Sequence, residues 1–110
     1  MGNLKPVKYN PKIVIAYFKE RGLPEPHLEL RFHETRKWRF DFGFLVPARV
    51  ALEVNGGLFV NGGHNRGAQM LKDYEKYNCA ASMGWRILFV TPQQLCTAET
   101  VDLIWRTLIQ

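Results

Sequence analysis

Three short runs between residues 27 and 55 alternate apolar with polar side chains. In HLELRFHE, Leu28, Leu30 and Phe32 fall on one side, and Glu29, Arg31 and His33 on the other. In KWRFDFGFLV, Trp38, Phe40, Phe42 and Phe44 oppose Arg39, Asp41 and Gly43. In VALEVN, Val50, Leu52 and Val54 oppose Ala51, Glu53 and Asn55. A period of two is the signature of a half-buried strand. The intervening ETRK and VPAR are short turns, so an antiparallel meander is expected.

Helical patterns flank the meander. Asn10 is placed to cap a first helix that begins at Pro11; Gly22 ends it and Pro24 prevents its resumption. Ile13, Tyr17 and Phe18 form its expected core stripe. A glycine-rich loop, GGLFVNGGHNRG, follows the third strand. From about Gly67 to Met83 a second helix is expected, with Met70, Leu71, Tyr74, Tyr77 and Ala81 facing the core and Gly84 as its cap. Asp73 and Lys76 have the spacing of a solvated helix pair. WRILFVT reads as a well-covered strand. Thr97 can cap a last helix that buries Val101, Ile104, Trp105 and Leu108. The expected order is α-β-β-β-α-β-α: an α/β (α+β) chain with a mixed four-stranded sheet flanked by helices.

The chain has 110 residues, enough for one domain, residues 1–110. No apolar run approaches the ~20 residues that span a bilayer, and the N-terminus has no signal-peptide core. The expectation is an intracellular protein with no membrane partner. Cys79 and Cys96 belong to no metal-binding spacing and read as reduced, mostly buried thiols. The net charge is +5, which favours an anionic partner, nucleic acid being the commonest.

The polar side of the meander is acidic where it matters. If the turn between the second and third strands centres on Pro47, Asp41 and Glu53 lie directly opposite one another, with Cβ atoms ~5 Å apart. Asn55 joins them two residues on, and Glu29 shares the polar side of the neighbouring strand. Like charges across a ladder cost up to about 1 kcal/mol unless something neutralises them. Two carboxylates with room for water and phosphate oxygens are what Mg²⁺ accepts, although a solvated polar face can also hold acidic residues without a metal.

The ordered set FDF, EVNGG, GGHNRG, KDYEKYN and GWRILFVT resembles the PD-(D/E)XK nuclease superfamily. The likeness is nearer to small bacterial and phage endonucleases related to the very-short-patch-repair type, and it covers roughly residues 25 to 92. The resemblance implies a restriction-endonuclease-like core and a metal-dependent DNA endonuclease in a bacterial or phage-infected cytoplasm. Asp41 and Glu53, with Glu29 as a third acid, would hold Mg²⁺, for which Mn²⁺ is expected to substitute. One position departs from the pattern: the motif lysine is Asn55 here. Lys72, Lys76 and His64 are the candidates to replace it, with Lys76 or His64 working beside Asn55 on the attacking water. Arg31, Arg36, Lys37, Arg39, Arg66 and Lys72 are the expected phosphate contacts. Nicking or structure-directed cleavage suits so short a chain, and a homodimer would be needed to cut both strands symmetrically. The competing expectations are an inactive nucleic-acid-binding module on the same fold and a protein-interaction domain.

Overall fold

The computed structural model describes residues 8–55 and 66–110. The elements are α1 (Pro11–Glu20), β1 (His27–Arg31), β2 (Arg39–Phe44), β3 (Val50–Val54), α2 (Arg66–Ser82), β4 (Arg86–Val90) and α3 (Ala98–Ile109), with a 3₁₀ turn at Pro92–Gln94. The order is the expected one. The protein is a mixed α+β fold with a single sheet ordered β1-β2-β3-β4. β1, β2 and β3 are antiparallel, and β4 runs parallel to β3 after the α2 crossover. Among the described residues no helix is long and apolar enough to cross a membrane.

Local chemistry fixes the helix ends. Asn10 Oδ1 accepts the Lys12 N–H at 2.9 Å, and Gly22 leaves α1 with φ +88°, a conformation that favours glycine. Thr97 caps α3 by accepting the Thr100 N–H at 3.3 Å. α1 and α3 bury Val14, Phe18, Ile104 and Leu108 against Phe42, Phe44, Val50, Leu52 and Val90 on one side of the sheet. On the other side Ala80 at the C-terminal end of α2 packs with Phe32, Phe40, Ala51 and Trp85. Each fully buried phenylalanine contributes roughly 1.5–3 kcal/mol relative to exposure.

Several expected faces are corrected. In α1 the buried positions are Val14 and Phe18, while Ile13 is 62% exposed. In α2, Met70, Leu71, Tyr74 and Ala81 are exposed; Lys76 and Tyr77 reach Glu53 of the sheet, and Ala80, with Met83 just past the helix, joins the second core cluster. In α3, Ile104 and Leu108 are buried but Trp105 stands half out. β4 is an edge strand, and its Phe89 is 49% exposed rather than covered. Both thiols are free, and Cys96 is exposed.

The alternation of β2 also breaks. Phe40 belongs to the α2-side cluster and Phe42 to the α1/α3-side cluster, although strict alternation puts both on one face. The break falls at Asp41. β1 is irregular at the opposing position: Leu28↔Phe42 and Leu30↔Phe40 pair, while Glu29, between them, has φ +50°. A non-glycine residue in that region costs on the order of 1 kcal/mol, and such residues concentrate at functional sites.

Candidate active site

The β2–β3 register is symmetric about Pro47: Phe42 pairs with Leu52 and Phe44 with Val50. The paired register ends at Phe42↔Leu52, and the next residues along, Asp41 and Glu53, are joined through their side chains rather than as a ladder pair. There the backbone ladder gives way to side chains. Glu53 Oε2 accepts the Asp41 N–H at 2.9 Å, and Asp41 Oδ2 accepts the Val54 N–H at 2.7 Å. Each carboxylate thus satisfies an amide left by the partner strand, so the splayed strands retain their hydrogen bonding.

Glu53 is 6% exposed and Asp41 half-buried. A buried carboxylate needs charge-assisted partners, and α2 supplies two of them. Lys76 Nζ donates to Glu53 Oε1 at 3.0 Å, and Tyr77 Oη donates to the same oxygen at 2.8 Å. Lys76 Nζ also donates to the Arg39 carbonyl at 2.6 Å. Its ammonium lies 5.6 Å from the Phe40 ring centre and 5.2 Å from that of Tyr77. The Lys76 side chain is only 16% exposed, so this is a buried, fixed ion pair rather than a surface one.

Among the described residues, the Glu29, Asp41 and Glu53 carboxylates and the Lys76 ammonium act on this centre. Burial pushes the Asp41 carboxyl up; the Val54 N–H opposes that rise, the Glu29 charge adds to it, and Lys76 opposes it. Tyr9, whose ring centre is 6.1 Å from that of Phe42, is pushed up to about 12 by burial and then by Asp41, Glu29 and Glu53. Burial and Glu53 also push Tyr77 up. Both phenols therefore remain hydrogen-bond donors at neutral pH.

The other expected residues are placed as follows. Asn55 follows β3 at the site's edge, and its N–H donates to the Val90 carbonyl at 2.8 Å. Lys72 is exposed on α2 and does not reach Glu53; Lys76 does. Asp73 bonds Gln69 at 2.9 Å rather than pairing with Lys76. Among the described residues no three His, Cys, Asp or Glu side chains converge to hold a metal, so Glu29 acts on Asp41 through charge rather than completing such a group. Arg31 and Arg39 are exposed and directly opposite in the β1–β2 register, and Lys37 is exposed nearby. Arg36 pairs with Glu75 at 2.6 Å and lies 3.8 Å from the Trp38 ring centre. His64, the Arg66 side chain and the glycine-rich stretch 56–65 lie outside the described residues.

Tyr77 and Tyr9 are the site residues that sequence reasoning misses. A signal for Tyr77 existed: Asp73, Lys76, Tyr77 and Ala80 recur at helical spacing and form a polar-to-small stripe. Such a stripe can be the buried face when it meets a buried charge. Tyr9 lies outside every motif and carries no comparable signal. Comparison with family models, curated proteins and solved structures gives no match for this chain.

Proposed function

We propose that the protein is a metal-dependent DNA endonuclease with a restriction-endonuclease-like core, hydrolysing phosphodiester bonds by nicking or structure-directed cleavage. The observation that carries the reading is the constellation of Asp41, Glu53 and Lys76: two carboxylates on β2 and β3, each accepting an amide of the other strand, with a lysine at 3.0 Å from one of them. The motif lysine missing at Asn55 has a functional counterpart in Lys76, delivered from α2 instead of β3.

The donor set fits Mg²⁺. It is all oxygen, it carries surplus negative charge, and no described donor meets Asp41 Oδ1. Asp41 and Glu53 would hold the ion, leaving its other positions to water and phosphate oxygens. When bound, Mg²⁺ supplies acidification of a water and charge stabilisation at the scissile phosphate. The chain's own residues do the positioning. Asp41 N–H and Tyr77 Oη fix the Glu53 carboxylate, and Lys76 brings the positive charge that Asn55 lacks. Arg31, Lys37, Arg39 and Lys72, exposed and in no ion pair among the described residues, would meet the phosphates of a DNA strand.

A second reading, an inactive binding module on the same fold, draws on the fact that both Glu53 oxygens already accept hydrogen bonds. A cleavage panel separates the two. Supercoiled plasmid, linear duplex, single strand, four-way junction and RNA are each incubated with Mg²⁺, Mn²⁺ or EDTA, with wild type and Glu53→Gln. Metal-dependent cleavage that drops at least about a hundredfold in the variant is expected. Binding without cleavage of any substrate would leave the module reading standing.

A further inference from the structure

An aromatic surface adjoins the acidic centre, and the proposed hydrolysis makes no use of it. Phe89 is the parallel-ladder partner of Glu53, so the two side chains are neighbours across a strand spacing of ~4.8 Å. Phe89 belongs to neither core cluster and is 49% exposed. The Tyr77 ring meets it edge-on, with centres 5.1 Å apart at 88°, while the Tyr77 hydroxyl holds Glu53. Three positions earlier on α2, on the helix's exposed stripe, Tyr74 is 54% exposed. One exposed ring, Phe89, thus lies against the tyrosine that fixes the acidic centre, and a second, Tyr74, lies one turn away on α2.

The occupant these rings fit is a nucleobase. The chain carries a net charge of +5, so an anionic strand is drawn to it. Every base presents a π face, and aromatic side chains bind unpaired bases by stacking with little regard to sequence. A base inside a continuous duplex has both faces covered by its neighbours and offers none to the protein. Only an unpaired base, in a single strand, a flap or a branch, can use the rings while its phosphate reaches Asp41 and Glu53.

We infer that Phe89 and Tyr74 form a stacking platform for unpaired bases, which makes the preferred substrate single-stranded, flapped or branched DNA rather than continuous duplex. The destination of the phosphate rests on the nuclease reading; the platform itself does not.

The test is a fluorescence titration of a single-stranded oligonucleotide carrying 2-aminopurine, in EDTA so that nothing is cleaved, with the matching unlabelled duplex as competitor. Wild type should quench the probe and bind the single strand more tightly than the duplex. Phe89→Leu should weaken single-strand binding roughly tenfold and shrink the preference over duplex. Phe89→Trp should restore both, and Tyr74→Ala, at an exposed helix position, carries the test if Phe89→Leu fails to fold. An unchanged probe signal, equal affinity for single strand and duplex, or unaltered binding by Phe89→Leu and Tyr74→Ala overturns the inference. So does a wild-type dimer in sedimentation that Phe89→Leu dissociates, because the rings would then be covered by a second copy. The same oligonucleotides with Mg²⁺ separate the two claims. Cleavage without a stacking signal sinks the platform alone, whereas a stacking signal without cleavage upholds the platform and sinks the nuclease.

Discussion

Asp41 is held where its charge is costly. Burial and the neighbouring Glu29 raise its carboxyl above the ordinary aspartate range, against the opposing Val54 N–H and Lys76. An acid whose folded-state pKa is raised binds more protons folded than unfolded, so stability falls as pH rises through the window from the unfolded to the raised value. Above that window the charged Asp41 is a standing penalty. Asp41→Asn, which keeps an oxygen for the Val54 N–H, should therefore melt higher than wild type at pH 7. The gain should fade as the pH falls below the ordinary aspartate range. Thermal unfolding at the two pH values checks this, and a lower melting temperature for the variant at pH 7 would refute it. The same substitution should abolish metal-dependent cleavage, the trade expected where a site stores unfavourable charge for function. At this scale the sequence is informative about the strand residues: the position of Pro47 sets the β2–β3 register that brings Asp41 and Glu53 near one another, although the alternation expected through Asp41 does not hold. It is less informative about Tyr77, whose phenol reads as core filling until the buried carboxylate beneath it is known.

The elements follow simple rules except where they meet the acidic centre. The meander, the crossover and the caps at Asn10 and Thr97 were readable because each rests on local periodicity or a single side-chain bond. The faces of β2 and α2 were not. At Asp41 the side chain replaces the ladder, and the strand changes which neighbour it faces, so Phe40 and Phe42 serve different cores. On α2 the apolar stripe Met70, Leu71 and Tyr74 lies exposed because the sheet-facing side carries Lys76 and Tyr77 for Glu53. Local rules that give way where a candidate site lies are what a functional centre is expected to produce. One packing prediction belongs here. Gly43 is buried against Leu30, and an added Cβ would collide with the Leu30 tip and come within 3.0 Å of its Cβ. Gly43→Ala should cost about 1–2 kcal/mol, because β1 is an edge strand and Leu30 can partly move. Denaturant unfolding measures it, and a variant as stable as wild type would show that β1 yields freely.

The whole molecule combines a net charge of +5 with a small, locally acidic centre. On the proposed function, long-range attraction would bring in an anionic strand and a divalent cation would resolve the local repulsion. Binding of single-stranded DNA should weaken steeply with salt, and each phosphate contact removed should flatten the log–log slope by roughly 0.7–1. Arg39→Gln, exposed beside Arg31 on the β1–β2 hairpin, is the variant to compare. An unchanged slope would place the phosphates elsewhere. The proposed role of Lys76, completing the Asp41–Glu53 centre from α2, is tested by initial rates of DNA cleavage by wild type and Lys76→Met in Mg²⁺ and in EDTA, both proteins first shown to be folded. Wild type should cleave only with Mg²⁺, and Lys76→Met should be slower by about 10²–10⁴-fold. Cleavage by Lys76→Met at the wild-type rate, or no Mg²⁺-dependent cleavage by wild type, would contradict it.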